Sequence, residues 1–375
     1  MQRRPRLAAL LCMFLLGGCV TGGGPAGPGP SPAETHALIT RLLPLRTTDR
    51  VGWATDIYAA FAALKIEPTA DNVCAVVAVT EQESSFRSKP VVPGLAGIAW
   101  KEIDDRAQAL GIPPVVVRTA LRISSPDGRS YSERIDKATT EEELSDVFED
   151  LIGLVPMGKT LFGRWNPVRT GGPMQVGIAF AQEHAQARGY PYSAARGIRH
   201  EVFTRHGGMY FGIAHLLDYP AGYDRHLYRF ADFNAGHYAS RNAAFQNALA
   251  IASGKTLALD GDLVNHATPQ TPGATESAAR SLGAKLGLSD AAIRRSLEGG
   301  QGLDLERTAL YGRVFALAEA KAGKPLPRAT LPRIRLQGPK ISRNLTTAWF
   351  AQRVEGRYKQ CLARGAEPPP QDRGG

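Results

Sequence analysis

The residues best placed to do chemistry lie in segment 73–86, VCAVVAVTEQESSF. Read as a helix, this segment puts Val73, Val76, Val79 and Thr80 on one face. Glu83 follows Val79 by four residues and Val76 by seven, so it shares that stripe, whereas Glu81 projects away from it. A carboxylate on an apolar face at the C-terminal end of a helix meets two pressures on its charge. Desolvation and the negative end of the helix dipole both raise its pKa. A carboxylic acid that stays protonated near neutral pH is what general-acid cleavage of a glycosidic bond requires. The simpler reading is a structural carboxylate that neutralises an arginine at the edge of the core.

Other chemistries find less support. Gly153-Leu-Val-Pro-Met-Gly158-Lys159-Thr160 satisfies the P-loop pattern by letter. A phosphate cradle needs a strand before the loop and a helix after it. Here an acidic amphipathic helix, 141–154, leads in, and LFGRWNPVRTGGP follows, which cannot open a helix. The nucleotide reading is set aside. His200-Glu201 has no second histidine at helical ligand spacing, and no GxSxG elbow occurs. His206, His215, His226 and His237 fall in one region without a cysteine or carboxylate at ligand spacing, so they read as structural or surface residues. No metal site and no organic cofactor are expected.

Three tetrapeptides change the odds for Glu83. Glu83-Ser84-Ser85-Phe86, Gly172-Pro173-Met174-Gln175 and Phe233-Asn234-Ala235-Gly236 occur in this order. Together they resemble the ESxF, GLMQ and YNAG motifs of soluble lytic transglycosylases and related lysozyme-like enzymes. The resemblance covers residues 71–254, about half the chain. It implies a lysozyme-like helical domain that cleaves the glycan strands of peptidoglycan, with Glu83 as sole catalytic acid/base. Ser84 would hydrogen-bond that carboxylate or the substrate. Met174 and Gln175 would line the cleft for the sugar N-acetyl groups, Phe233 would stand at the substrate, and Asn234 would fix the turn that closes the site. For these neighbours, helix packing or capping is an equal alternative.

Two departures bear on this. The family tyrosine that reaches the carboxylate is replaced by Phe233, which leaves Tyr238 or Tyr210 as candidate donors, a drier Glu83, or lost activity. The stretch of about 88–172 between the first two motifs is about four times the usual length, and it could wall the cleft or cover it. A single carboxylate suffices for the transglycosylase route, in which the muramyl C6 hydroxyl closes on C1 as a 1,6-anhydro ring. Ordinary hydrolysis wants a second carboxylate, for which Asp232 is the nominee.

The N-terminus places this chemistry in the cell envelope. Arg3, Arg4 and Arg6 precede an apolar run, residues 7–16, and then Gly17, Gly18 and Cys19. That is a secretory signal, 1–18, and Leu16-Gly17-Gly18-Cys19 looks like a bacterial lipobox with Cys19 as the acylated residue. A Gly/Pro tether, 19–33, follows. Val20 stands where an aspartate would favour inner-membrane retention, so the resemblance implies an outer-membrane lipoprotein facing the periplasm. The lipobox and an unfamiliar C-terminal third also suggest a family of bacterial lipoproteins of unassigned function. Of the four cysteines, Cys74 and Cys361 remain for a bridge or two buried thiols, two readings that spacing alone leaves even.

The formal charge of +10, or +7 once the signal arginines are removed, and the pI of about 9.6 invite an anionic partner. Nucleic acid is not expected in an exported chain. No acidic residue occurs from 321 to 354, and the basic residues there are not interleaved with aromatics as in a single-strand groove. That stretch reads as a solvated loop leading into a final helix, or as a surface for an anionic envelope component. The apolar run at the N-terminus is too short to span a bilayer.

The elements that must position the motifs read as mainly α. Helices are expected to start near Ser31, Thr48, Thr69, Thr140, Ser240, Ser289 and Ser342, with others over 174–188, 197–217 and 304–322. Short strands are expected at 115–117 and 334–336. The expected organisation is a lysozyme-like domain over 34–255 carrying the insertion, a helical region over 256–365 and a disordered tail, 366–375. The partners implied are peptidoglycan and, through lipid, the membrane.

Overall fold

Helix starts follow the capping residues. Ser31, Ser130 and Thr140 each form a capping box with the glutamate three residues on, and Thr69, Ser289 and Thr308 accept a first-turn amide. The computed structural model describes residues 31–154, 156–157, 163–265, 268, 270–336 and 343–366. The signal segment, Cys19, residues 158–160 of the P-loop-like run, Ser342 and the tail from 367 lie outside the described residues.

The chain is mainly helical. It runs α1 (Pro32–Leu42), α2 (Arg50–Leu64), α3 (Ala70–Glu83), α4 (Leu95–Ala109), α5 (Pro114–Ala120), α6 (Tyr131–Lys137) and α7 (Glu141–Gly153). A hairpin of β1 (Thr170–Gly171) and β2 (Val176–Gly177) follows, antiparallel with Gly171 opposite Val176. Then come α8 (Ile178–Arg188), α9 (Ile198–Glu201), α10 (Arg205–Leu217), α11 (His226–Ala235), α12 (Ala239–Ser253), α13 (Ala274–Ser281), α14 (Gly283–Leu286) and α15 (Asp290–Glu298). The chain closes with α16 (Ala309–Ala322) and α17 (Thr347–Ala366).

Several local expectations fail for identifiable reasons. Residues 115–117 form helix α5, because Pro114 at its first turn presets a helical φ that overrides the β-preference of three valines. Around 334–336 there is one isolated bridge, Arg335 to Thr346. The helix expected from Met174 begins only at Ile178, since Gly172 (φ 73°) turns the chain into a hairpin first. Residues 197–217 split into α9 and α10 where Thr204 caps the second helix. The stretch 304–322 opens as a 3-10 turn, Leu303–Arg307, before α16.

Two apolar clusters form. The first gathers α1, α2, α3, α10, α11, much of the insertion and the final helix α17; the second gathers α12 to α16. The region 256–365 is therefore not one packed unit, because α17 returns to lie along α3 and α11. Cys361 on α17 and Cys74 on α3 are disulfide-bonded across 287 residues, with Cα atoms 5.5 Å apart. Fully buried Arg241 on α12 donates to the carbonyls of Gly300 and Gly302 at 2.7 Å each, stitching α12 to the turns beneath the second cluster.

Candidate active site

Helix α3 carries the first motif, and its surroundings revise the expected phase. Every residue from Val73 to Glu81 is buried, because α1, α10 and α17 all pack on this helix. A helix apolar on all sides has no solvent face for Glu81 to point toward. Glu81 is 6% exposed and ion-paired with Arg46, whereas Glu83 is half-buried. The expected phase is therefore corrected: Glu81 is the more buried of the two and is the carboxylate that neutralises an arginine. Gln82 accepts from Arg357 of α17 at 3.2 Å, and burial pushes that guanidinium's pKa down. Buried Ser84 donates to the Thr80 carbonyl at 3.1 Å, closing the helix.

Just beyond, the backbone is strained. Ser85 and Phe86 both take left-handed conformations, φ 52° and 60°, and Phe86 is pinned edge-on to Trp53 at 5.3 Å. The second and third motifs share this trait. Gln175 has φ 52°, and Tyr238, two residues past the third motif, has φ 65°. Of seven described non-glycine residues with positive φ, four lie in or against the three motifs. Such conformations persist only where the surroundings enforce them, and they cluster at functional sites.

The second motif is the turn of the β-hairpin, seated on α10 through missing side chains. A Cβ at Gly172 would stand 2.0 Å from the Val202 carbonyl oxygen, one at Gly208 2.4 Å from Pro173, and one at Gly212 2.4 Å from Met174. Met174 is fully buried against Gly212 and therefore packs the core, which corrects its expected place on the wall of a cleft. Half-buried Gln175 donates to Glu141 Oε2 at 2.9 Å. On the same helix α10, one turn from Gly212, Met209 accepts from Thr80 Oγ1 at 3.9 Å, one turn before Glu83. Thus α10 joins the end of α3 to the hairpin.

The third motif ends α11. The Phe233 ring lies 5.1 Å from that of His215, and exposed Asn234 accepts from Thr347 Oγ1 at 2.9 Å, which ties the motif to the start of α17. Neither proposed replacement for the missing hydroxyl points at Glu83. Tyr238 donates to the Pro220 carbonyl at 2.8 Å, and Tyr210 is 3.4 Å from the Gly189 carbonyl. Asp232 is also corrected. It is fully buried, takes the hydroxyls of Tyr219 and Tyr223 and the amides of Tyr238 and Ser240, and thereby caps α12. Burial raises its pKa against those bonds. A carboxylate so committed cannot flank a sugar.

The insertion supplies what the sequence reading missed. Val91 bridges Thr140, Lys89 pairs with Glu142 at 2.6 Å, and Glu141 holds Gln175. The start of α7 thus spans from the chain just after the first motif to the second motif. Glu141, 8% exposed, is a carboxylate bonded to the hairpin turn, and the equally buried Glu142 holds Lys89. Their sequence signal, a triple glutamate behind a threonine cap, reads only as helix-start chemistry.

His215 and His237 are structural. His237 Nε2 donates to the His215 carbonyl at 2.7 Å and the two rings stack at 4.5 Å. Burial and the facing His237 push His215 down to about 3 from an ordinary 6.5. The unfolded chain then takes up a proton that the native state refuses. The contribution of His215 to stability is complete above about pH 6.5 and is lost as pH falls from there toward 3. Urea unfolding at about pH 7.5 and about pH 5 should show this loss, and His215→Gln should lessen it, the partly buried His226 and His237 supplying the rest. Equal pH dependence in both proteins would rule His215 out as its source. Among the described residues, no group of three or more ligating side chains could hold a metal, and no helix is long and apolar enough to cross a membrane.

The chain is thus mainly helical, with a buried central helix, a glycine-seated hairpin and a helical insertion whose α7 reaches that hairpin. The chain belongs to the family described as "Protein of unknown function (DUF1615)", whose model matches residues 46–364. It is similar to "Uncharacterized protein YaiW" of Escherichia coli (strain K12), at 53% identity over 355 residues, covering 94% of this chain and 97% of that protein. No solved structure matches the chain.

Proposed function

We propose that this protein is a lipid-anchored lytic transglycosylase of the outer membrane that cleaves peptidoglycan glycan strands. The observation that carries the reading is the concentration of left-handed, non-glycine backbone at Ser85, Phe86, Gln175 and Tyr238, at or beside three motifs far apart in sequence. The attachment of the α3 end and the hairpin turn to one helix, α10, supports it further. In this reading Glu83 protonates the glycosidic oxygen between N-acetylmuramic acid and N-acetylglucosamine. Its carboxylate then takes the proton of the muramyl C6 hydroxyl as that oxygen bonds to C1, giving the 1,6-anhydro product. Neither step needs a cofactor. Digestion of purified sacculi tests it: soluble muropeptides with anhydro ends are expected.

A second reading has its own observation. Phe233 has no hydroxyl, and those of Tyr210 and Tyr238 face backbone carbonyls elsewhere. This favours a non-catalytic lipoprotein that grips glycan, for which sacculi would be bound without product.

The anchor is proposed from Leu16-Gly17-Gly18-Cys19. Cys19→Ser is expected to leave unprocessed precursor and to abolish fatty-acid labelling. A variant that labels and matures like the wild type would remove the lipobox from the account.

A further inference from the structure

Eight of the twelve exposed large apolar side chains among the described residues lie in the insertion, between Leu110 and Trp165. Val115 and Val116 among them belong to α5, a helix none of whose residues is buried. Concentrated exposure of this kind marks an interaction surface. Beside it is a pocket of about 320 Å³, whose lining includes Ile103, Leu110, Val117, Phe148, Leu151 and Trp165. Leu110 and Trp165 line the pocket and are themselves exposed, so its mouth opens into the apolar surface. The one charged lining residue, Arg106, is committed to the protein: it pairs with Glu102 at 2.6 Å and donates to the Trp165 carbonyl. A peptide entering such a pocket would leave its N–H and C=O groups unpaired, whereas an alkyl chain has none to satisfy.

Charge identifies the head group that this chain carries. No acidic residue occurs from 106 to 126, where Arg106, Arg118 and Arg122 supply the only charges. Arg118 is held by Asp104 at 2.6 Å above the Trp100 ring. Arg122 follows the lining residue Leu121, is exposed, and makes no ion pair among the described residues. Exposed apolar side chains with an unspent cation beside them match an anionic lipid surface.

We propose that segment 106–126 docks on an anionic phospholipid surface. Leu110, Ile112, Val115 and Val116 enter the acyl region, Arg122 meets a phosphate, and the pocket takes one acyl chain. The docking is separate from the glycan chemistry and goes beyond the lipid anchor. A Gly/Pro tether leaves the folded chain free to turn, and a second contact fixes the face it presents to the membrane.

The test places a photo-crosslinking amino acid at Val116, at Ile112 in the pocket lining, or at Val51 on α2 as control. Val116 is 54% exposed and Val51 62%, so exposure alone gives the two equal access to lipid. The full-length chain is reconstituted in vesicles of phosphatidylethanolamine and phosphatidylglycerol, illuminated, and its adducts are read by mass spectrometry. Val116 and Ile112 should give phospholipid adducts through acyl carbons, in clear excess over Val51. Arg122→Glu should lower their yield about fivefold or more, the worth of one basic side chain near an anionic surface, at an unchanged melting temperature. An adduct to a second copy of the chain in place of lipid would overturn the proposal, as would equal lipid yields at Val116 and Val51. Lipid adducts at Val116 with none at Ile112 would overturn the acyl-chain pocket. None of these outcomes bears on the digestion of sacculi, which tests the glycan reading independently.

Discussion

Replacing Glu83 by glutamine should cut the release of anhydromuropeptides by about 10²–10⁴-fold, the usual contribution of a general acid/base. The substitution keeps shape and hydrogen bonding and removes only the transferable proton. Binding to sacculi and cooperative melting should survive, because Glu83 sits at the half-buried end of α3 rather than in its fully buried stretch. Glu81 is the instructive comparison. Glu81→Gln breaks the pair with Arg46 at a 6% exposed position and should lower the melting temperature while leaving turnover of the folded protein nearly intact. A Glu83→Gln protein that releases product at the wild-type rate would remove Glu83 from the chemistry.

The second large effect is expected at the disulfide. Cys74–Cys361 closes a loop spanning 287 residues, and chain entropy alone assigns such a bridge about 5–6 kcal/mol. Cys361→Ser should therefore shift the urea midpoint far downward, since the bridge joins the central helix to the helix that covers it. Loss should be felt first as release of α17 from α3 and α11, exposing Val354, Phe350 and Ala351 to solvent. Native-state hydrogen exchange in the variant reads this directly, with α17 amides exchanging ahead of those of α12. Wild-type stability on reduction would mean that packing, not the cross-link, holds α17 in place.

Local chemistry was legible in the sequence and long-range packing was not. Ser31, Thr69, Thr140 and Ser289 mark helix starts because a cap is decided by three or four neighbouring residues. The phase of α3 was misread because a one-sided stripe presumes a solvent face, and α17 arrives from almost 300 residues away to remove it. Met174 shows the same limit. Its tetrapeptide marks a special turn, but only Gly212 on α10 reveals that the side chain fills a core notch. Glu141 was invisible as a site residue for the complementary reason: its helix-start role is local, while its bond to Gln175 crosses 34 residues. Asp232 reads as available beside the third motif, but two hydroxyls from the preceding loop and two amides from the following turn and helix occupy it.

The central claim is that the folded chain breaks glycan strands by intramolecular ring closure at muramic acid. Incubating purified sacculi with the full-length protein and resolving the soluble products by chromatography and mass spectrometry tests it most directly. The account predicts fragments that end in 1,6-anhydromuramic acid, one water lighter than their hydrolysed counterparts, and their disappearance with Glu83→Gln. Reducing-end fragments would contradict the lyase chemistry and point to a hydrolase using a second carboxylate such as Glu141. Sacculi bound tightly but left uncut would contradict enzymatic action altogether.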